Sequence, residues 1–225
     1  MSAPLSTPRL VVLISGQGRN LQAILDAVAA RRIPAMLAGV ISNRADAPGL
    51  ERARAAGVPA LVVPHTAYAQ RAAFDAALLD AVENLRPDIV AMAGFMRVLG
   101  DATIRALRGR VVNIHPSLLP KYPGLGTHRR VLEAGDAEHG ASVHYVTEEL
   151  DGGPVAIQGS FRVRPQDDEQ TQADRVMQEV EVKIYPQALA WMARGELRHT
   201  QSGLLFRGRP LAAPLTLAEL EPEFQ

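Results

Sequence analysis

The chain contains no cysteine among its 225 residues. This absence excludes disulfide bonds, thiol nucleophiles and cysteine-ligated zinc, and it fits the reducing cytoplasm in which we expect the protein to work. The chain also lacks an excess of charge of either sign, with 24 basic and 24 acidic residues and a formal net charge of zero. A general role in binding nucleic acid or a membrane surface is therefore disfavoured, since both usually need a basic excess.

Long hydrophobic runs are missing too, because no apolar segment approaches the roughly 20 residues that span a bilayer. Residues 1–8 lack the basic-then-apolar pattern of a signal peptide, so we expect a disordered leader there. Hydrophobic residues make up 47% of the chain and charged residues 21%, as in ordinary globular proteins. The length allows a sizeable core, and we find no repeat or linker, so we expect a single domain over residues 1–225.

Short apolar runs alternate with segments of helical periodicity from residue 9 to residue 114. This alternation predicts an α/β fold, a mostly parallel twisted sheet with helices on both faces. After His115 the pattern changes to two adjacent strand-like segments, an antiparallel addition, and then to a long helix bent near Pro186. We expect residues 201–225 to form a tail or an edge strand. The predicted strands are residues 9–14, 35–42, 59–63, 88–93, 110–114, 139–146, 154–163 and about 203–208, and the predicted helices are residues 21–32, 49–56, 69–85, 102–107 and 172–193.

A polar, glycine-rich loop, Ser15–Asn20, joins the first predicted strand to the first predicted helix. Glycines let the backbone approach an anion, and a helix N-terminus offers free N–H groups, so phosphate binding is one interpretation. The other is a tight turn without a ligand. An NAD site is disfavoured, because Asn20-Leu21 stands where a dinucleotide fingerprint has its third glycine and no acidic residue ends the second strand.

Asn113 and His115 mark a strand exit that is typical of an active-site rim. Side chains two apart in a strand point to the same face, and Pro116 ends the strand because it has no N–H to donate. Asp151 lies in Asp-Gly-Gly-Pro, which by itself indicates an ordinary turn. If that turn folds back onto His115, its carboxylate would hold the imidazole and raise the pKa of the ring above about 6.5.

Six histidines invite a test for a metal site. His139 and His144 are the closest pair, but a strand would place them on opposite faces. A zinc site needs ligands that converge, so we expect no metal.

Five segments occur in the order LISGQGRNLQA, AGFMRVL, NIHPSLLPKYPG, HGASVHYV and ELDGGPV. In this order they resemble the glycinamide ribonucleotide transformylases, a branch of the folate-dependent formyltransferases, from about residue 10 to residue 195. The Asn-x-His and Asp constellation alone would indicate only the wider family. The glycine loop and the PSLLPKYPG segment select the branch that acts in purine synthesis.

The resemblance implies a Rossmann-like formyltransferase fold with a folate pocket beyond the carboxyl edge of the sheet. It also implies transfer of a formyl group from the co-substrate 10-formyltetrahydrofolate to the amine of glycinamide ribonucleotide, in de novo synthesis of the purine nucleotide IMP. Neither a metal nor NAD takes part, and the expected partners are these small molecules, without nucleic acid or membrane. The chain is expected to be a monomer or a homodimer.

The resemblance also assigns roles to particular residues, and two departures from the family pattern bear on them. Gly126 stands where some members carry histidine, and the usual Glu-His pair is absent, so Glu179 competes with Glu181 in the alignment. The implied catalytic residues are Asn113, His115 and Asp151; the ribonucleotide-binding residues are Gly18, Arg19, Asn20, Leu21 and Glu181; and the folate-binding residues are Arg71, Met96, Arg97, Val98 and Leu99, together with Asn113 and Asp151.

Two other functions remain open from the sequence. The first is hydrolysis of 10-formyltetrahydrofolate, in which water replaces the amine. Members of that branch usually carry an N-terminal regulatory domain, whereas only eight residues precede the first predicted strand here. The second is a nucleotide-binding module without catalysis, which would explain the glycine loop but give Asn113, His115 and Asp151 no task.

Overall fold

The computed structural model describes residues 7–225. The strands are β1 (Arg9–Ile14), β2 (Met36–Ser42), β3 (Ala60–Val62), β4 (Ile89–Met92), β5 (Val111–His115), β6 (Glu138–Tyr145), β7 (Val155–Arg162), β8 (Leu197–Thr200), β9 (Gly203–Phe206) and β10 (Arg209–Pro210). The helices are α1 (Arg19–Ala29), α2 (Gly49–Ala55), α3 (Arg71–Asn84), α4 (Asp101–Ala106), α5 (Thr127–Ala134), α6 (Glu169–Arg175) and α7 (Val182–Ala193), and a π-helical turn (Val176–Glu181) joins the last two.

A seven-stranded sheet forms the centre of the protein, in the order β3-β2-β1-β4-β5-β6-β7. The strands from β1 to β5 pair in parallel, whereas β6 pairs antiparallel with both β5 and β7. Apolar side chains fill both faces of β1, where Leu10 to Ile14 are fully buried. This burial explains the continuous apolar runs of the parallel strands, since helices cover the sheet on both sides. The predicted fold class is confirmed.

The first helix begins at Arg19, two residues before the predicted start, because Gly18 takes a left-handed conformation and caps it. It ends at Ala29, three residues before the predicted end, where Arg31 turns into the left-handed region and the Arg32 N–H donates to the Ala27 carbonyl. Such a C-terminal turn satisfies the last carbonyls without a glycine.

The long helical stretch before residue 193 differs from its prediction in two ways. It begins at Glu169, because the Asp168 side chain accepts a hydrogen bond from the Thr171 N–H at 2.7 Å and caps the helix there. The break in α-helical hydrogen bonding lies in the π-helical turn at Val176–Glu181, upstream of Pro186, which sits within α7. Wide turns of this kind are common at functional sites.

The prediction of a tail or edge strand over residues 201–225 is wrong. β9 is the central strand of a separate antiparallel sheet, β10-β9-β8. Beyond it, Leu215 bridges to Ile157 of the main sheet, and Leu220 and Phe224 are buried in the main core. These scattered apolar residues carry no strand or helix periodicity, so only the tertiary packing reveals their role.

The predicted leader falls largely on residues 1–6, which lie outside the described residues. Over residues 7–225, none of the helices is long and apolar enough to cross a membrane.

Candidate active site

A cleft of about 330 Å³ opens at the carboxyl ends of the parallel strands. Its walls are the glycine loop after β1, the Ala93–Met96 turn after β4, the end of β5, and the π-helical turn. β2 lies on one side of β1 and β4 on the other, so the chain reverses its direction of sheet growth here. Clefts at such switch points are the usual ligand sites of open α/β sheets.

The glycine loop forms the first end of the cleft. Gly18 has a φ of 71°, and a Cβ atom there would lie 2.9 Å from the Cα of Gly49, so only glycine fits without a shift. The first N–H groups of α1 have no acceptor within the helix and carry its positive dipole end, as an anion site requires. Leu21 offers this site only its backbone, because its side chain is fully buried in the core.

A buried carboxyl group lies beside these N–H groups. Asn20 Nδ2 donates to Glu181 Oε2 at 2.7 Å, and burial raises the pKa of Glu181. Glu179 instead pairs with Arg175 at 2.8 Å, and of the two glutamates only Glu181 lines the cleft. Arg19 lies at the rim, where its half-exposed guanidinium pairs with Asp174 at 3.0 Å.

Asn113, His115 and Asp151 come together beside the cleft, next to Ile114 and Pro116, which line it. We call this adjoining region the second end of the cleft. Asn113 and His115 lie on β5, and the turn after β6 folds back so that Asp151 Oδ2 is 3.4 Å from His115 Nδ1. Asp151 is held there by the Gly124 N–H, which donates to the same carboxylate oxygen at 2.8 Å. Its φ of 51° is left-handed, a conformation that aspartate tolerates better than most residues.

A fourth side chain, His144, belongs to this cluster, although it was not among the predicted site residues. Its Nε2 atom lies 3.2 Å from Asn113 Nδ2 and 3.5 Å from Asp151 Oδ1. β6 pairs antiparallel with β5 so that His144 stands directly opposite Asn113. The sequence signal was HGASVHYV, but it became usable only with the strand register.

The electrostatics of the cluster follow from burial and close contacts. The expected rise of the His115 pKa above about 6.5 is wrong. Burial is the largest influence and leaves the pKa below the ordinary value, although the Tyr122 carbonyl and the Asp151 carboxylate act to raise it. Burial also raises the pKa of Asp151, but the contacts with His144, the Gly124 N–H and His115 together outweigh it, so the pKa lies below its ordinary value. Asp151 is therefore ionised at neutral pH.

Some of the predicted folate-binding residues lie at the surface and others in the core. Arg71 Nη2 donates to the Val98 carbonyl at 2.9 Å and thereby fixes the segment that follows β4. Met96 and Val98 expose large apolar side chains. Arg97 stacks over a phenylalanine ring, and the Leu99 side chain is buried in the core and offers no surface to a ligand.

Two further residues at the cleft were missed from the sequence. The Ser15 hydroxyl accepts a hydrogen bond from the Met96 N–H at 2.7 Å and donates to Asn43 at 2.6 Å, so it ties the glycine loop to the segment after β4. His128 lines the cleft, and its Nδ1 lies 2.8 Å from Nε2 of the buried His139. Within the described part of the chain, no three histidine, aspartate or glutamate side chains are grouped as metal ligands.

Comparison with known proteins places this geometry in context. The profile of a family described as formyl transferase matches residues 8–189. The phosphoribosylglycinamide formyltransferase of Escherichia coli K12 is 48% identical over 202 residues, which cover 90% of this chain and 95% of that protein. The structure of the phosphoribosylglycinamide formyltransferase of Coxiella burnetii is similar with a TM-score of 0.88 and 44% identity, over 94% of this chain and 99% of that one. Glycinamide ribonucleotide transformylase 1 of Symbiobacterium toebii gives a TM-score of 0.85 at 44% identity, over 89% and 94% of the two chains.

Proposed function

The chain belongs to the formyl transferase family, and from that premise we propose that its cleft transfers the formyl group of 10-formyltetrahydrofolate to the amine of N1-(5-phospho-D-ribosyl)glycinamide. The products are the N2-formyl ribonucleotide and tetrahydrofolate, in de novo purine biosynthesis. The observation that supports the proposal is that the open N-terminus of α1 and the cluster of Asn113, His115 and Asp151 both lie at the carboxyl ends of the parallel strands.

The ribonucleotide phosphate binds at the glycine-loop end. Gly18, Arg19, Asn20 and Leu21 present backbone N–H groups to it, and the Arg19 guanidinium adds charge at the rim. Glu181, whose carboxyl group is buried within hydrogen-bonding distance of Asn20, binds a hydroxyl group of the ribose. These contacts fix the nucleotide so that its amine reaches the second end of the cleft at the right angle.

The folate binds against the segment after β4. Met96 and Val98 supply the apolar surface that an aromatic ring system needs, and Arg71 and Arg97 hold this segment through a carbonyl contact and a ring contact. Leu99 supports the segment from within the core. The formyl group then lies near Asn113 and Asp151, where the chemistry takes place.

The transfer itself forms one bond and breaks another. The amine nitrogen attacks the formyl carbon, and the carbonyl electrons move to the oxygen. The carbon–nitrogen bond to the folate then breaks, and the proton lost by the amine ends on the folate nitrogen. Asn113 donates a hydrogen bond to the developing oxyanion, a contribution that is commonly about 10²–10³ in rate.

His115 and Asp151 stabilise the developing charge and assist the proton transfer in this reaction. Burial leaves the pKa of His115 below its ordinary value, so the protonated ring is favoured by the ionised Asp151, which also orients it, and by the negative charge that develops on the oxygen. The charge of the ring in turn stabilises the oxyanion. Asp151 also assists the proton in moving from the amine to the leaving nitrogen. The hydrolase and the plain nucleotide-binding module are not supported by the relatives, whose names specify the ribonucleotide formyltransferase.

A spectrophotometric assay tests the proposal. The assay measures the release of tetrahydrofolate, or of its dideaza analogue, from the 10-formyl form, with and without glycinamide ribonucleotide. Release that requires the ribonucleotide is the expected result. Release without it would indicate the hydrolase, and no release from folded protein would contradict formyl transfer altogether.

A further inference from the structure

His144 is buried at the catalytic end of the cleft, with 2% of its surface exposed. It lies in the centre of the antiparallel pair β5–β6, directly opposite Asn113. The proposed chemistry gives this imidazole no task, yet a buried ring must satisfy both of its nitrogens.

The first nitrogen fixes the tautomer. Nδ1 lies 3.1 Å from the backbone carbonyl of Tyr145, which can only accept a hydrogen bond. Nδ1 therefore carries a proton. In the neutral ring, Nε2 is then left with a lone pair that accepts.

The second nitrogen fixes the orientation of the Asn113 carboxamide. Because Nε2 accepts, the group that faces it at 3.2 Å must be the amide NH₂ and not the amide oxygen, whose lone pairs would repel it. The Asp151 carboxylate lies 3.5 Å from the same Nε2 and would accept from it in a protonated ring, but the Asn113 amide makes the shorter contact. One N–H of Asn113 is engaged by His144, and the other is directed away from it.

We propose that His144 is a positioning residue, which through its Nδ1-protonated tautomer holds the Asn113 carboxamide with one N–H free to donate to the formyl oxygen. The proposal rests on the formyl-transfer function. A proton on Nε2 would instead demand the amide oxygen, and the carboxamide would turn over and present an acceptor to the developing oxyanion. The tautomer thus selects between a donor and an acceptor at the reacting oxygen.

Two substitutions of His144 test the contacts of its two ring nitrogens separately. The amide of His144→Asn takes the place of Nδ1 and keeps the contact with the Tyr145 carbonyl, but offers nothing at Nε2. The longer side chain of His144→Gln reaches the place of Nε2 and can accept from Asn113 through its oxygen. We expect kcat to fall by about 10²-fold in His144→Asn and by clearly less in His144→Gln, with the KM for both substrates nearly unchanged in each.

A merely structural role gives a different result. Equal losses of kcat in the two variants, or near-normal kcat in His144→Asn, would overturn the proposal. Thermal unfolding of both variants shows whether a loss follows from stability, since a structural role predicts that kcat falls with the melting temperature.

The tautomer of His144 can be measured directly in the unsubstituted protein, independently of the kinetic results for the two variants. Long-range ¹H–¹⁵N spectra of the imidazole rings distinguish a protonated from an unprotonated nitrogen. We expect His144 to show a protonated Nδ1 and an unprotonated Nε2 at neutral pH, and a protonated Nε2 would overturn the proposal. Absence of formyl transfer in the same preparation would instead contradict the proposed function, while the tautomer would stand.

Discussion

The two ends of the cleft are built from different groups of the chain, backbone at one end and side chains at the other. At the glycine-loop end, backbone N–H groups and a left-handed glycine form the site, and the one buried carboxyl group, Glu181, has a raised pKa. At the catalytic end, four side chains from β5, β6 and the following turn are linked in a row by three contacts of 3.2 to 3.5 Å. The N–H groups of the first end are set by local chain geometry, whereas the second end depends entirely on long-range pairing.

This difference indicates a division between binding and chemistry. A backbone site keeps its charge at every pH, so it suits a phosphate that must be held throughout the reaction. A cluster of titratable side chains can change its charge as the reaction proceeds, which the transfer of a proton requires. Substitutions at the two ends should therefore separate KM from kcat.

The largest effect is expected from Asp151→Asn. The neutral amide no longer favours protonated His115 and no longer assists the amine proton, so kcat should fall by about 10²–10⁴-fold. The KM for the ribonucleotide should change little. Because the Asp151 charge acts to raise the pKa of His115, the ring should also titrate at lower pH in the variant, as ¹³C NMR of the imidazole would show.

The matched control is Glu148→Gln. It makes the same chemical change three residues earlier in the same turn, at a carboxylate paired with Arg108 on the surface. Its kcat should remain within about twofold of the unsubstituted protein, because exposed ion pairs contribute little. A similar loss in both variants would mean that the turn, and not the Asp151 charge, is responsible.

A second prediction concerns His139, which supports His128 at the cleft and lies on the same strand as His144. The pKa of His139 falls from 6.5 to about 4, chiefly because burial disfavours its charged form. The unfolded chain therefore binds a proton between these pH values that the folded protein does not, and stability present above pH 6.5 is lost as the pH falls towards 4. A shift of this size corresponds to about 3 kcal/mol of unfolding free energy.

Denaturant unfolding at several pH values checks this loss. His139→Phe removes the titrating group, so the part of the acid destabilisation between pH 6.5 and 4 that comes from His139 should disappear. If the variant does not fold, an NMR titration of His139 in the unsubstituted protein gives the same answer. An ordinary imidazole titration near pH 6.5 would contradict the prediction.

Gly18→Ala tests the backbone end of the comparison. The added methyl group meets the Gly49 backbone and forces alanine into a left-handed conformation, so we expect a loss of about 1–3 kcal/mol in unfolding free energy. The displaced N–H groups should raise the KM for the ribonucleotide about tenfold, with a smaller change in kcat.

Gly16→Ala is the control for that substitution. Gly16 lines the same cleft, but a Cβ atom there meets nothing within 4 Å. Near-normal KM and stability are expected. If Gly16→Ala raised KM as much as Gly18→Ala, any side chain in the loop would obstruct the ligand, and the geometry of Gly18 would not be the cause.

The same division decides how much the sequence could predict. The parallel strands and the glycine loop were located correctly, because apolar runs and a loop of glycines depend on neighbours in the chain. Asn113 and His115 lie on one strand as predicted, for the same reason, since they are two residues apart. The contact between His115 and Asp151 was conditional on the turn folding back, and its confirmation required the structure.

What the sequence could not predict depends on distant contacts. His144 can be assigned to the site only from the register of β5 with β6. Ser15 can be assigned to it only from its hydrogen bond with Met96. Leu21 and Leu99 were assigned to ligand binding by their place in motifs, but their side chains are buried in the core. Position in a motif predicts a loop and its backbone geometry well, whereas it does not reveal which way a single side chain points.

The smallest effect is expected from Arg71→Ala, at the folate side of the cleft. Arg71 is about half exposed and holds the segment after β4 through one bond to the Val98 carbonyl. The KM for 10-formyltetrahydrofolate should rise only a few-fold, and kcat and stability should hardly change, since single exposed polar contacts contribute about 1 kcal/mol or less. Arg54→Ala, at a similarly exposed arginine paired with Glu51 on α2, should leave the KM unchanged. A loss of kcat in Arg71→Ala as large as that in Asp151→Asn would break the comparison, because a rim contact would then control the chemistry.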